Sequence, residues 1–126
     1  MSVRIKPVAR KNPLKPTETP KYYAVPTSRD VATLDSVANQ ISKISSISRG
    51  DVYSVLLTLL DVIPGELLDG KVVQLGKLGS FALNLKSEPV ETPEALTADK
   101  VSKAHIVFRP SSELKATVSN VHIITT

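Results

Sequence analysis

The stretch Gly76-Lys77-Leu78-Gly79-Ser80-Phe81 decides the fold class, because it places two turn glycines between two runs of strand-forming residues. Before it, Lys71 to Leu75 has the composition of a strand. After it, Phe81 to Lys86 alternates apolar and polar residues, as a half-buried strand does. The two runs predict an antiparallel hairpin, and no phosphate-loop pattern surrounds the two glycines.

Two helices are predicted ahead of this hairpin. Apolar residues recur at helical spacing from Leu34 to Ile44, and Ser48 with Asp51 three residues later is a start signal for the second helix. The dipeptide Pro64-Gly65 is expected to interrupt that helix. Its apolar stripe is wide enough to be buried against more than one neighbour and suggests a partner subunit. The stripe consists of Val52, Val55, Leu56, Leu59, Leu60 and Ile63.

The chain beyond the hairpin is expected to return to the sheet and then to form a short helix. Ala104 to Arg109 reads as a strand, and either Ser111 or Ser112 can cap a helix that runs through Val118. Val121 to Ile124 is predicted to be the last strand. Strands that follow a pair of helices, rather than alternating with them, indicate an α+β fold.

The N-terminal segment differs from the rest of the chain in composition. Residues 1–28 hold five of the nine prolines, a density that forbids a helix there. Val3 to Val8 and Lys21 to Val25 are extended runs on either side of a loop, which suggests an open hairpin or an arm. The sequence therefore predicts a basic, proline-rich extension over residues 1–28 and one folded domain over residues 29–126.

Charge is distributed unevenly along the chain, whose net charge is +4. Residues 1–29 carry seven Lys or Arg against one acid, whereas residues 30–70 carry two against six acids. Residues 87–99 carry four acids and no Lys or Arg. A concentrated basic segment of this kind indicates a polyanionic partner such as a nucleic acid.

Few residues suit a catalytic or metal site. The chain has no cysteine, and His105 and His122 lie on predicted strands without a nucleophile or carboxylate at a recognisable spacing. We therefore expect no enzyme activity, metal, cofactor or small-molecule substrate. No signal peptide or membrane-spanning run is apparent, so a soluble protein of the cytoplasm is expected. Phe81 and Phe108 are expected in the core.

The segment Phe108-Arg109-Pro110-Ser111-Ser112-Glu113-Leu114-Lys115, together with the glycine turn, resembles two motifs of the HU/IHF class of bacterial histone-like DNA-binding proteins. The order of helices and strands resembles that class as well. Lys21-Tyr22-Tyr23-Ala24-Val25-Pro26 is similar to a segment of longer HU-related proteins from Bacteroides-type bacteria. The resemblance implies an intertwined dimer, for which we expect a homodimer and leave a mixed dimer with a paralogue open. It also implies bending of double-stranded DNA at the nucleoid without strong sequence preference.

The chain departs from that family where HU carries a basic arm with an Arg-Asn-Pro tip, because the corresponding residues 87–99 are acidic here. The extension instead contains Arg10-Lys11-Asn12-Pro13, which is similar to the missing tip. Pro13 could serve as a wedge between base pairs or form an ordinary turn. Tyr22 and Tyr23 are adjacent on a predicted strand and therefore point to opposite faces, so at most one of them can face a given surface. The predicted DNA-binding residues are Arg4, Lys6, Arg10, Lys11, Asn12, Pro13, Lys15, Lys21, Lys77, Lys86, Lys103 and Arg109.

A second interpretation also fits the sequence. A protein of the same fold could have exchanged DNA binding for protein assembly, using edge strands and the proline-rich extension to bind a partner. The acidic residues 87–99 favour this interpretation, and the basic extension opposes it.

Overall fold

Nine helices and strands follow one another in the predicted order along the part of the chain described by the computed structural model, residues 2–27 and 29–125. The α+β class is confirmed. The elements are β1 (Val3–Arg10), β2 (Lys21–Pro26), α1 (Leu34–Ile44), α2 (Arg49–Leu68), β3 (Val73–Gln74), β4 (Gly79–Ser87), β5 (Val101–Pro110), α3 (Ser112–Ser119) and β6 (Ile123–Thr125), with short 3-10 turns at Pro93–Ala95 and Ala98–Lys100.

The chain divides into two compact units, one formed by Met1–Ala32 with Val118–Thr126 and the other by Thr33–Thr117. The predicted boundary after residue 28 falls on Ser28, which lies outside the described residues. The functional division of the chain at that point stays a prediction.

The first unit is a three-stranded sheet in the order β2-β1-β6. β1 pairs antiparallel with β2 and parallel with β6, so strands from both ends of the chain share this sheet. The amide of Val3 donates to the carbonyl of His122, and the carbonyl of Arg4 accepts from Thr27, so odd residues of β1 bond toward β6. The last residue of β1 that pairs with β6 is Ile5, so Pro7 lies beyond the end of that pairing. Proline has no N–H to donate, and at this position no hydrogen bond between the strands is lost.

The second unit begins with a helical hairpin. The hydroxyl of Thr33 accepts from the amide of Ser36 at the start of α1, and the hydroxyl of Ser48 accepts from the amide of Asp51 at the start of α2, 3.3 Å away. The predicted cap at Ser48 is confirmed. An ion pair between Arg49 and Asp35 joins the start of α2 to α1.

Loss of the Ser48 cap is expected to destabilise the fold. Ser48→Ala leaves the Asp51 amide without its side-chain acceptor and should lower the free energy of unfolding by about 1 kcal/mol. Thermal unfolding followed by circular dichroism measures this change. Ser48→Asp should keep near-normal stability because aspartate also caps helices, and Ser46→Ala, at an exposed position in the same linker, is the matched control. Equal melting temperatures for Ser48→Ala and Ser46→Ala would contradict the prediction.

The predicted interruption at Pro64-Gly65 is wrong, since α2 continues through both residues to Leu68. Proline removes one helical hydrogen bond, to the carbonyl of Leu60, and that residue is half exposed, so solvent can replace the lost donor. Leu67, which is buried, anchors the turn that follows. Packing of this last turn therefore outweighs the local preference of the proline.

The second unit also holds the sheet β3-β4-β5, in which all pairs are antiparallel. Gly76 and Gly79 have φ of +53° and +138°, as expected of turn glycines. A Cβ atom on Gly79 would lie 2.3 Å from the carbonyl oxygen of Arg109, so β5 approaches the backbone of β4 closely here. The strand predicted over Lys71 to Leu75 is shorter, Val73–Gln74, while the other two strands are longer than predicted.

The core of a single chain is small. Among the described residues, only three apolar side chains are buried, namely Ala38, Val52 and Leu67. The rings of Phe81 and Phe108 pack with centroids 4.8 Å apart, but Phe108 is still 40% exposed. The core position expected for Phe108 is therefore wrong for the chain taken alone.

Candidate functional site

The first sheet collects four of the predicted basic residues on one side. Arg4, Lys6 and Arg10 occupy alternate positions of β1, and Lys21 of β2 lies directly opposite Arg10. Alternate residues of a strand share a face, and so do residues opposite each other across an antiparallel pair. All four side chains are exposed, and no paired residue on this side is acidic. We call this side, Arg4, Lys6, Arg10 and Lys21, the basic face of the first sheet.

Tyr23 lies on the same basic face because it is opposite Val8, two residues from Arg10 on β1. The guanidinium carbon of Arg10 is 5.5 Å from the centre of its ring, a cation–π contact. Tyr22 faces the other side. The sequence showed that the two tyrosines must face opposite ways, but Tyr23 could be assigned to the basic face only from the register, which pairs Arg10 with Lys21.

The opposite side of the first sheet is apolar. Tyr22 is opposite Ala9, and Ile123 of β6 is opposite Val3. Tyr22, Ile123 and Val3 are all exposed. The basic face also holds the half-buried apolar residues Val8, Val25 and Ile124. The two sides of the sheet therefore differ in that only one carries charged side chains.

The loop between β1 and β2 is folded by its own hydrogen bonds and carries two further basic residues, Lys11 and Lys15. The carbonyl of Asn12 accepts from the amide of Lys15, and its side-chain oxygen accepts from the amide of Leu14, both at 3.0 Å. The ammonium group of Lys15 pairs with the carboxylate of Glu18 at 3.5 Å. Because this ion pair is exposed it is weak, so Lys15 can still bind another anion. A cleft at this end of the hairpin is lined by Arg10, Lys11, Asn12, Pro13, Glu18, Thr19, Lys21 and Tyr23.

The second sheet has a basic face of its own. Lys86 of β4 lies directly opposite Lys103 of β5, and Arg109 shares their side because it is six residues from Lys103 on the same strand. All three side chains are exposed. Two lysines opposite each other repel, so the pair costs stability in the free protein. A bound anion would relieve this repulsion, which makes the pair a reasonable place for a phosphate group.

Lys77 is separate from this second basic face. It lies in the turn between β3 and β4, and its ammonium group is 3.9 Å from the carboxylate of Glu113. The ion pair is exposed and weak, but it places a negative charge beside the predicted contact. No local sequence pattern indicates this pairing, because residues 77 and 113 are distant in the chain.

The acidic residues 87–99 connect β4 to β5 as two short 3-10 turns. The amide of Glu88 donates to the carbonyl of Lys100 at the base of this connection. Its four carboxylates are exposed and would repel phosphate groups. They belong to Glu88, Glu91, Glu94 and Asp99.

Within residues 2–27 and 29–125, no group of three or more metal-ligating side chains comes together. His105 lies opposite Asn84 on the second basic face. In the same part of the chain, no helix combines the length and the apolar character that crossing a bilayer requires.

Comparison with known proteins relates the whole arrangement to one family. A family model described as an HU domain fused to a winged helix-turn-helix, Ig or glycine-rich motif, HU-HIG, matches residues 1–124. A comparison with curated proteins found no match.

Two solved structures have a similar fold. The first is a protein of Bacteroides vulgatus described as a candidate bacterial DNA-binding protein, 12% identical with a TM-score of 0.64 over 98% of this chain. The match spans 47% of that protein, so this chain is about half its length. The second is HU of Anabaena in a crystal with DNA, 15% identical with a TM-score of 0.55, covering 70% of this chain and 98% of the HU chain. At these identities the likeness shows the fold.

Proposed function

Because the chain belongs to the HU-HIG family, we propose that it is a non-enzymatic protein that binds and bends double-stranded DNA as a homodimer with little sequence preference. The role would be that of a histone-like protein at the nucleoid. We expect it to need no cofactor and no small-molecule substrate.

The observation that carries the proposal is the gathering of exposed basic side chains on one side of each sheet. Arg4, Lys6, Arg10 and Lys21 share a face of the first sheet, and Lys86, Lys103 and Arg109 share a face of the second. Lysine and arginine that contact phosphates release condensed counterions, which favours binding without reading the bases. This charge pattern therefore suits double-stranded DNA of any sequence best.

The likeness to Anabaena HU, which was crystallised with DNA, supports the same partner. In this chain the connection between β4 and β5 is acidic, so it is a poor DNA-binding arm. We propose that the β1–β2 hairpin serves as the arm instead, with Lys11, Asn12, Pro13 and Lys15 at its tip. Lys77 would contact DNA only by giving up its ion pair with Glu113.

The homodimer is supported by apolar surface that a single chain leaves open. Phe81, Leu83 and Leu85 of β4 share a side with Ile106 and Phe108 of β5, opposite the basic residues. Leu85 and Ile106 are 64% and 62% exposed. We call these five residues the apolar face of the second sheet. Apolar patches of this kind on a small domain mark protein interfaces, and a second copy would cover this one symmetrically.

Salt-dependent binding of random-sequence duplex by the full chain tests the proposed function. In a gel shift we expect retardation at low salt that weakens steeply as salt is raised, because each phosphate contact contributes about 0.9 to the slope of log affinity against log salt. Added heparin should compete.

One feature favours a second function, assembly with another protein. The exposed acidic connection carries Leu96, an apolar side chain that is 54% exposed. Absence of retardation even at low salt would refute DNA binding and favour assembly through this segment.

A further inference from the structure

The tip of the β1–β2 hairpin presents one large apolar side chain among basic ones. Leu14 is 89% exposed, the largest exposed fraction of any large apolar residue in the described chain. Lys11 and Lys15 lie three residues before it and one residue after it. Single exposed apolar residues are ordinary on protein surfaces, and Ile44 is 88% exposed as well. What distinguishes Leu14 is its position among basic residues at the tip of a hairpin.

The tip is held in shape by its own hydrogen bonds. Residues 12–15 form a β-turn closed by the bond from the Lys15 amide to the Asn12 carbonyl, with Pro13 at the second position. Residues 15–18 form another, closed by the bond from the Glu18 amide to the Lys15 carbonyl at 3.1 Å, with Pro16 at the second position. Proline fixes φ at the second position of such turns. The backbone that carries Leu14 is therefore rigid.

Leu14 and its neighbour Pro13 are placed differently. Pro13 lines the cleft at the hairpin end together with Arg10 and Asn12, whereas Leu14 does not belong to the lining of that cleft. The Asn12 side chain accepts from the Leu14 amide, which holds the backbone of Leu14 in place. The Leu14 side chain itself is almost fully exposed. Pro13 shapes the turn, and Leu14 projects from it.

We infer that Leu14 is a wedge that inserts between adjacent base pairs and kinks the duplex. Leucine is among the apolar residues that proteins insert between base steps, at a cost in unstacking that is offset by closer wrapping of the DNA. The basic residues beside it would neutralise the phosphates that flank the kink. This inference rests on the proposed function, since it requires that the hairpin contact DNA.

The test compares full-length Leu14→Ala with the unchanged chain on a short duplex labelled at both ends for energy transfer. The duplex carries 2-aminopurine at a central TA step, because pyrimidine–purine steps kink most easily. The unchanged chain should bring the ends closer and raise the 2-aminopurine fluorescence. Leu14→Ala should lose most of both signals while its affinity changes by less than about 5-fold, since the phosphate contacts remain.

Three further variants complete the test. Leu96→Ala removes an exposed leucine from the acidic connection and should leave both signals unchanged. Leu14→Met should keep them, because methionine also serves as a wedge. If Leu14→Ala bends DNA as the unchanged chain does, or if only Pro13→Ala loses the bend, the inference is wrong and the proposed DNA binding stands. If the unchanged chain does not bind DNA at low salt, both are wrong.

Discussion

A triple variant with glutamine at Lys6, Arg10 and Lys21 is expected to bind random-sequence duplex on the order of 10- to 100-fold more weakly than the unchanged chain at physiological salt. All three residues lie on the basic face of the first sheet, where no paired carboxylate offsets their charge. The slope of log affinity against log salt should fall by about 3, roughly one for each phosphate contact removed.

The matched control carries the same loss of charge elsewhere. Glutamine at Lys43, Lys71 and Lys115 removes three exposed positive charges outside both basic faces. Lys71 is paired with Glu66 at 3.1 Å, an exposed contact that screens its charge only weakly. This control should lose less than about 5-fold in affinity, with little change in salt slope, because distant exposed charges act only through a screened field. Fluorescence anisotropy across a salt series measures both quantities. Equal losses in the two variants would mean that net charge, rather than this face, determines binding.

The same triple variant discriminates between the two basic faces. If the first sheet contacts DNA, the slope of log affinity against log salt that remains in the triple variant measures the phosphate contacts of the second basic face. That face consists of Lys86, Lys103 and Arg109. An unchanged slope would place binding on the second sheet alone. Because the three substituted side chains are exposed, the variant should unfold at nearly the same temperature as the unchanged chain.

Local features of the fold could be predicted from the sequence because they depend on neighbouring residues. The Ser48 cap needs only the amide of Asp51, and the glycine turn needs only a backbone with positive φ at Gly76 and Gly79. The continuation of α2 past Pro64 could not be predicted in this way. It depends on burial of Leu67, which is decided by tertiary packing.

The sequence allowed candidate DNA-binding residues to be named, but it did not show which of them lie side by side on one face of a sheet. Alternation alone places Arg4, Lys6 and Arg10 on one side of a strand. Adding Lys21 and Tyr23 requires the register between β1 and β2, which the proline-rich loop between them does not specify. Pairing of β6 with β1 joins residues more than a hundred positions apart, and no local pattern encodes such a contact.

The proposed homodimer is expected to separate when a charge enters the apolar face of the second sheet. Ile106 lies opposite Leu83 at the middle of this face and is 62% exposed in the single chain. Ile106→Asp would bury a carboxylate without a partner, at a cost of several kcal/mol. We therefore expect the dimer dissociation constant to rise on the order of 100-fold or more.

Sedimentation equilibrium measures the result directly. The unchanged chain should have twice the 13.6 kDa mass of one chain, and Ile106→Asp should have the mass of one chain at the same concentration. Leu96→Asp places the same charge at an exposed leucine of the acidic connection and should stay dimeric. Ile106→Val, which keeps the face apolar, should also stay dimeric.

The small core of a single chain would make the fold depend on the proposed dimer. With only Ala38, Val52 and Leu67 buried among the described residues, a single chain has little apolar burial to offset the entropy of folding. The melting temperature of the unchanged chain should therefore rise with protein concentration, as mass action requires of a protein stabilised by its own association. This measurement remains decisive even if Ile106→Asp fails to fold. A monomer mass for the unchanged chain, with a melting temperature independent of concentration, would show that the apolar face is not a dimer interface.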